Sequence, residues 1–141
     1  SSSDQCYAMS GNTGSLRFMA PEVAMRQSYS EKADVYSFAI VVWQMARDRV
    51  AYRDMSKREF LLKVVVQGER PKLDKSWPKE FSALLEACWH KDQTRRPSFL
   101  SIMDTLDSLL ETHKKHRRVP IPKSFRPSAA TQVESTQSSW F

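Results

Sequence analysis

Glycine, cysteine and long apolar runs are all scarce in this chain of 141 residues. Its glycines are Gly11, Gly14 and Gly68, so no G-x-G-x-x-G loop is present to cradle phosphates on backbone amides. Cys6 and Cys88 are two isolated cysteines far apart in sequence, and reduced thiols are the default. His90, His113 and His116 add no ligand spacing for structural zinc, so no metal site is expected from this chain. No run approaches the roughly 18 apolar residues that cross a bilayer, and the N-terminus carries no secretory pattern. A cytoplasmic location is expected, or the cytoplasmic side of a membrane if an anchor lies upstream. Strand-like alternation is also missing, which leaves helices and loops.

What is present suffices for one core: 40% of residues are hydrophobic and 11% aromatic. The net charge of +6 is concentrated at one end, because residues 113–127 hold Lys114, Lys115, Arg117, Arg118, Lys123 and Arg126 without an acid. The first 112 residues are close to neutral, so the basicity belongs to a tail, 116–141, rich in serine and proline and read as disordered. Such a tail attracts phosphates through charge alone. The solvated-tail reading is preferred, with no specific nucleic acid as partner.

Residues 1–18 show neither helical nor strand period and read as an irregular segment. A short helical turn follows Pro21. The stretch 30–46 is apolar nearly all round (Val35, Phe38, Ala39, Ile40, Val41, Val42, Trp43, Met45), which predicts a core helix covered on every side. Ser56 and Glu59 form a capping box that opens a helix over 56–67, and Gly68 stops it. Phe81, Leu84, Leu85, Cys88 and Trp89 predict a helix over 78–89. Ser98 caps a last helix over 98–115.

Four blocks stand in fixed order: Thr13-Gly14-Ser15-Leu16-Arg17-Phe18-Met19-Ala20-Pro21-Glu22; Lys32-Ala33-Asp34-Val35-Tyr36-Ser37-Phe38 with Trp43; Gly68-Glu69-Arg70-Pro71; and Cys88-Trp89-His90-Lys91-Asp92 ending in Arg96-Pro97-Ser98-Phe99. Together they closely resemble the C-terminal half of the eukaryotic protein-kinase catalytic domain, over about residues 5–112. The resemblance implies a mainly α fold, the C-terminal half of the kinase large lobe with about five helices and loops and no small lobe. Residues 1–18 would be the remnant of the activation segment and 19–115 the helical subdomain.

The same resemblance assigns roles. Thr13, Gly14, Ser15 and Arg17 would form the substrate-docking end of the activation segment, with Ser15 at the position typical of enzymes that phosphorylate serine or threonine. Asp34 would brace the backbone of the catalytic loop. Trp43 and Trp89 would be structural, and Glu22 and Arg96 would form a buried ion pair. The mixed signature points to the tyrosine-kinase-like group of Ser/Thr kinases. Tyr7, Ser10 and Thr13, with Ser1, Ser2 and Ser3, are candidate phosphorylation sites, where added charge could order the segment against an arginine. Ala39, Gln44, Ala51 and Gln93 depart from the usual pattern, and none of them is catalytic.

Phosphoryl transfer needs phosphate-cradling amides, a lysine, magnesium ligands and an aspartate that positions the attacking hydroxyl. None of these motifs occurs in the chain. No catalytic or cofactor-binding residue is therefore assigned, and ATP and magnesium are implied only for a complete parent acting on a protein substrate. The expected reading is a truncated kinase domain whose small lobe and catalytic loop lie upstream in the same polypeptide. The alternative is a non-catalytic kinase-like interaction module. A chain without those covering parts is expected to have low stability by itself.

Overall fold

The computed structural model describes residues 13–117, and all structural statements concern these. The candidate sites Tyr7 and Ser10, Ser1 to Ser3 and the tail beyond Arg117 lie outside them. The described residues form helices and loops without a strand. In chain order the helices are α1 (Thr13–Leu16), α2 (Pro21–Ala24), α3 (Lys32–Arg47), α4 (Lys57–Phe60) running into a π-helical Leu61–Val66, α5 (Lys79–Cys88), a 3₁₀ turn (Gln93–Arg95) and α6 (Phe99–Arg117). α1 corrects the expectation of an irregular segment up to residue 18. Its short turn buries Leu16 against Phe60, Val64 and Val65, a contact between distant parts of the chain that local periodicity does not report.

α3 is the spine. Val35, Tyr36, Ala39, Ile40 and Trp43 are buried with Leu84, Leu85 and Cys88 of α5 and Ile102 of α6. The expected cover on every side is not found, however. Asp34, Val41 and Met45 recur at seven and four residues, so they share one face, and that face is open: Val41 is 41% and Met45 77% exposed. No described element lies over it. α3 ends where Asp48 takes a left-handed conformation (φ 51°) and Arg49 N–H returns to the Gln44 carbonyl. Two of the unusual residues answer each other at this point: Ala51 N–H donates to Gln44 Oε1 at 2.8 Å. A proline at 51 would have no hydrogen to give.

The capping box forms as expected, with Glu59 N–H donating to Ser56 Oγ and Ser56 N–H to Glu59 Oε2. These contacts hold the Glu59 carboxyl below its ordinary pKa, the backbone hydrogen bond from Ser56 being the largest cause. The following helix is not regular. From Leu61 it widens into a π-helix through Val64-Val65-Val66, and Gln67 N–H bonds the Leu62 carbonyl. Gly68, at φ 80°, makes the left-handed exit that a side chain would disfavour.

Candidate functional site

The Thr13–Arg17 segment is held from below by three independent attachments. Leu16 is buried in the α4 cluster. The Ser37 hydroxyl on α3 donates to the Phe18 carbonyl at 2.6 Å, with the Ala33 carbonyl at 3.2 Å. Pro21 then starts α2, where a missing N–H costs nothing, and this places Glu22 in its first turn facing inward.

Glu22 meets Arg96 there. The guanidinium donates to both carboxylate oxygens, at 2.6 and 2.9 Å, and both side chains are almost wholly buried. The remaining donors are used as well: Arg96 Nε bonds the His90 carbonyl and Nη1 also bonds the Lys32 carbonyl, each at 2.9 Å. A charge pair taken out of water persists only when its other hydrogen-bonding capacity is filled in this way. The link joins the end of the activation-like segment to the turn before α6.

Tyr36 lies between two guanidinium groups, Arg96 at 5.2 Å and Arg70 at 5.0 Å from its ring centroid. Arg70 donates to the carbonyls of Trp89 (2.9 Å), Val64 (3.1 Å) and Glu69 (2.8 Å). Burial pushes the Tyr36 hydroxyl above its ordinary pKa, against the opposing pull of Arg70 and Arg96. Burial likewise raises Tyr52, whose hydroxyl lies near enough to Tyr36 for each to influence the other. Neither hydroxyl makes a hydrogen bond of ordinary geometry. The Cys88 thiol is pushed up to about 11 by burial, which makes it a core side chain and not a nucleophile.

The other predicted residues take distinct places. Trp43 is buried, and its indole N–H donates to the Lys72 carbonyl at 3.0 Å. Trp89 is buried beside Leu85 and Cys88. Asp34 is exposed in the first turn of α3, on the open face. Ser15 is exposed, Arg17 half-buried, and Thr13 and Gly14 belong to α1. The structure thus brings Glu22 and Arg96 together and leaves Asp34 and Ser15 facing outward.

Sequence reasoning missed Arg70, Tyr36 and Gln93. Gln93 Nε2 donates to the Ser28 carbonyl at 3.0 Å, and its Oε1 accepts from the Ser30 hydroxyl at 3.2 Å, so it clamps the α2–α3 loop to the turn before α6. Its departure from the usual pattern was the available signal. Among the described residues, no three His, Cys, Asp or Glu side chains converge as metal ligands. The donor set described here does not fit magnesium and nucleotide by itself, and no step of phosphoryl transfer is derived from it. No described helix is long and apolar enough to cross a membrane.

A family model described as protein tyrosine and serine/threonine kinase matches residues 1–106. The chain belongs to that family. Three curated relatives from Arabidopsis thaliana are similar to it. Serine/threonine-protein kinase STY17 is 37% identical over 77% of this chain and 20% of its own length. Serine/threonine/tyrosine-protein kinase HT1 is 33% identical over 79% and 28%. Serine/threonine-protein kinase VIK is 37% identical over 78% and 25%. The chain therefore spans well under a third of the length of these relatives, and the matched part is a protein-kinase catalytic-domain segment of tyrosine-kinase-like character.

Proposed function

We propose that this chain is the substrate-facing part of a Ser/Thr protein kinase domain, whose complete form transfers the γ-phosphate of ATP to protein hydroxyls. The observation that carries the reading is the buried, two-pronged Glu22–Arg96 pair, which ties α2, shortly after the Thr13–Arg17 segment, to the turn before α6. In such an enzyme, magnesium and ATP supply the phosphoryl group and its charge neutralisation. The residues described here position the acceptor. Ser15 and Arg17 present the segment along which a peptide lies, while Leu16, Ser37 and Glu22 prevent it from shifting. A displacement of about 1 Å at such a ledge can lower a transfer rate by about 100-fold, so the value of the base lies in its stiffness. Residues 1–18 act as the end of the activation segment and 19–115 as the helical subdomain.

Asp34 supports the same reading. An exposed carboxylate in the first turn of a central helix, beside Val41 and Met45, offers acceptors to backbone amides of a covering loop.

The test is to determine the transcript ahead of Ser1 and express the longer product. A reading frame that encodes the His-Arg-Asp and Asp-Phe-Gly motifs, with a product that phosphorylates serine or threonine in a general protein substrate, is the expected result. In that product Ser15→Ala lowers kcat. An in-frame stop directly ahead of an initiator would replace this reading with that of a binding module.

A further inference from the structure

The ledge carrying Ser15 and Arg17 is bordered mainly by one sign of charge. Leu16, between them, is buried with Phe60, Val64 and Val65, and Tyr52, Met55 and Leu61 pack against that cluster. Residues interleaved with these anchors therefore reach the surface beside Arg17: Arg53 and Asp54 stand between Tyr52 and Met55, and Lys57 follows two residues later. Lys57 precedes Phe60 and Leu61 by three and four residues, which puts it on the face of α4 that holds Leu16, one turn nearer the helix start.

Arg53 and Lys57 are exposed and Arg17 is half-buried. Among the described residues none of the three makes an ion pair or a side-chain hydrogen bond. The nearby acids do not cancel them. Glu59 accepts from the Ser56 N–H and hydroxyl and pairs with Lys63 at 3.6 Å, so its charge is already answered. Asp54 is left against three cations. Beyond Tyr52 and Met55 the surface opens into a groove of about 850 Å³ whose lining mixes Asp48 and Glu69 with Arg49 and Lys72, so the uncancelled charge belongs to the ledge and not to the groove. Charge that serves solubility alone is interspersed in sign, whereas a rim of one sign steers and selects an oppositely charged partner.

We propose that the acceptor segment taken by this ledge is acidic, with Asp or Glu side chains flanking the acceptor hydroxyl and meeting Arg17, Arg53 and Lys57. The inference rests on the reading of Ser15 and Arg17 as a peptide ledge and adds the class of peptide that the ledge selects. Each contact is exposed and individually weak, so selection comes from several of them acting together and is sensitive to salt. A peptide with lysine or arginine in the same places meets repulsion instead.

The experiment measures binding of fluorescein-labelled peptides of equal length to the full chain by anisotropy at low salt. Each peptide has one central serine, flanked by Asp and Glu, by Gln, or by Lys. Every protein measured carries Arg118→Gln, Lys123→Gln and Arg126→Gln, which remove the tail's own attraction for acids. The acidic peptide should bind about tenfold more tightly than the Gln peptide, the Lys peptide should bind least, and added salt should shrink the difference. Arg17→Glu with Lys57→Glu should abolish the preference. Lys57→Glu, a single exposed change, should reduce it severalfold and serves if the double variant fails to fold. Lys72→Glu, in the groove, should leave it unchanged within about twofold. An acidic peptide held no better than the Gln peptide, including no binding of either, overturns the proposal, as does a preference that Lys72→Glu removes and Lys57→Glu does not. Binding is read without phosphoryl transfer, so an inactive longer product would remove the kinase reading without touching this result. In an active one, the acidic peptide should show the lower KM at unchanged kcat.

Discussion

Lys32 and Arg96 hold each other reciprocally: Lys32 Nζ donates to the Arg96 carbonyl at 2.8 Å, and Arg96 Nη1 donates to the Lys32 carbonyl at 2.9 Å. The same guanidinium grips Glu22. Three elements, α2, the start of α3 and the turn before α6, are thus locked at one arginine that is almost wholly buried.

Arg96→Ala should therefore cost about 3–5 kcal/mol, because it strands the Glu22 carboxylate out of water. Against a typical domain stability of roughly 5–15 kcal/mol, this is a large fraction. Chemical denaturation of the single variants and of a paired Glu22→Leu, Arg96→Met variant checks the cause. The pair should recover much of the loss, and a double variant as unstable as the two singles added would refute the buried-charge explanation.

Trp43→Phe removes the indole donor to the Lys72 carbonyl and part of a buried ring. A loss of about 2–3 kcal/mol is expected, roughly 1 from the hydrogen bond and the rest from the void. Hydrogen exchange should quicken along 69–77, where the connector loses its anchor. Unchanged exchange there would show that Trp43 serves only as packing.

Acid should loosen the same connector. Ser76, through its backbone N–H and its hydroxyl, holds the Asp74 carboxyl below the ordinary carboxylate value, and Arg47 adds to the effect. A carboxyl whose pKa is depressed on folding contributes stability that is fully present above its unfolded value, near 4, and is lost as pH falls through the folded value. Thermal midpoints of the chain should fall from about pH 4 downward, and Asp74→Asn should flatten that slope. Identical slopes for the two proteins would remove Asp74 from the account.

The open face of α3 predicts dye binding. Val41 and Met45 are exposed beside Asp34, so an environment-sensitive apolar dye should bind the folded chain, and Met45→Lys should reduce that signal while changing stability by less than about 0.5 kcal/mol. A fluorescence signal unaffected by Met45→Lys would place the dye elsewhere.

Much of this architecture was legible in the residues. The helix order followed from period and caps, and the capping box is a local device in which Ser56 and Glu59 need only each other. The Glu22–Arg96 pair was legible only through family resemblance, since nothing local links residues 74 positions apart. Two features escaped for physical reasons. The π-helical turn depends on tertiary packing of Val64 and Val65, which a helical period cannot separate from an α-helix. The bare flank of α3 was legible in part, because apolar side chains on all sides announce a need for cover and the parts expected to supply it were placed upstream of this chain. Gln93 was visible only as an oddity, because its partners Ser28 and Ser30 come from a distant loop.

The helix ends at Val66, so the Val64 carbonyl is one of the terminal carbonyls that a helix leaves without a partner of its own, and Arg70 donates to it while also serving Trp89 and Glu69. One planar fork thus substitutes for an absent amide and ties an irregular coil to the end of α5. Lysine, with equal charge on a single point, has no way to reach three carbonyls in that plane, so the position is dictated by shape more than by sign.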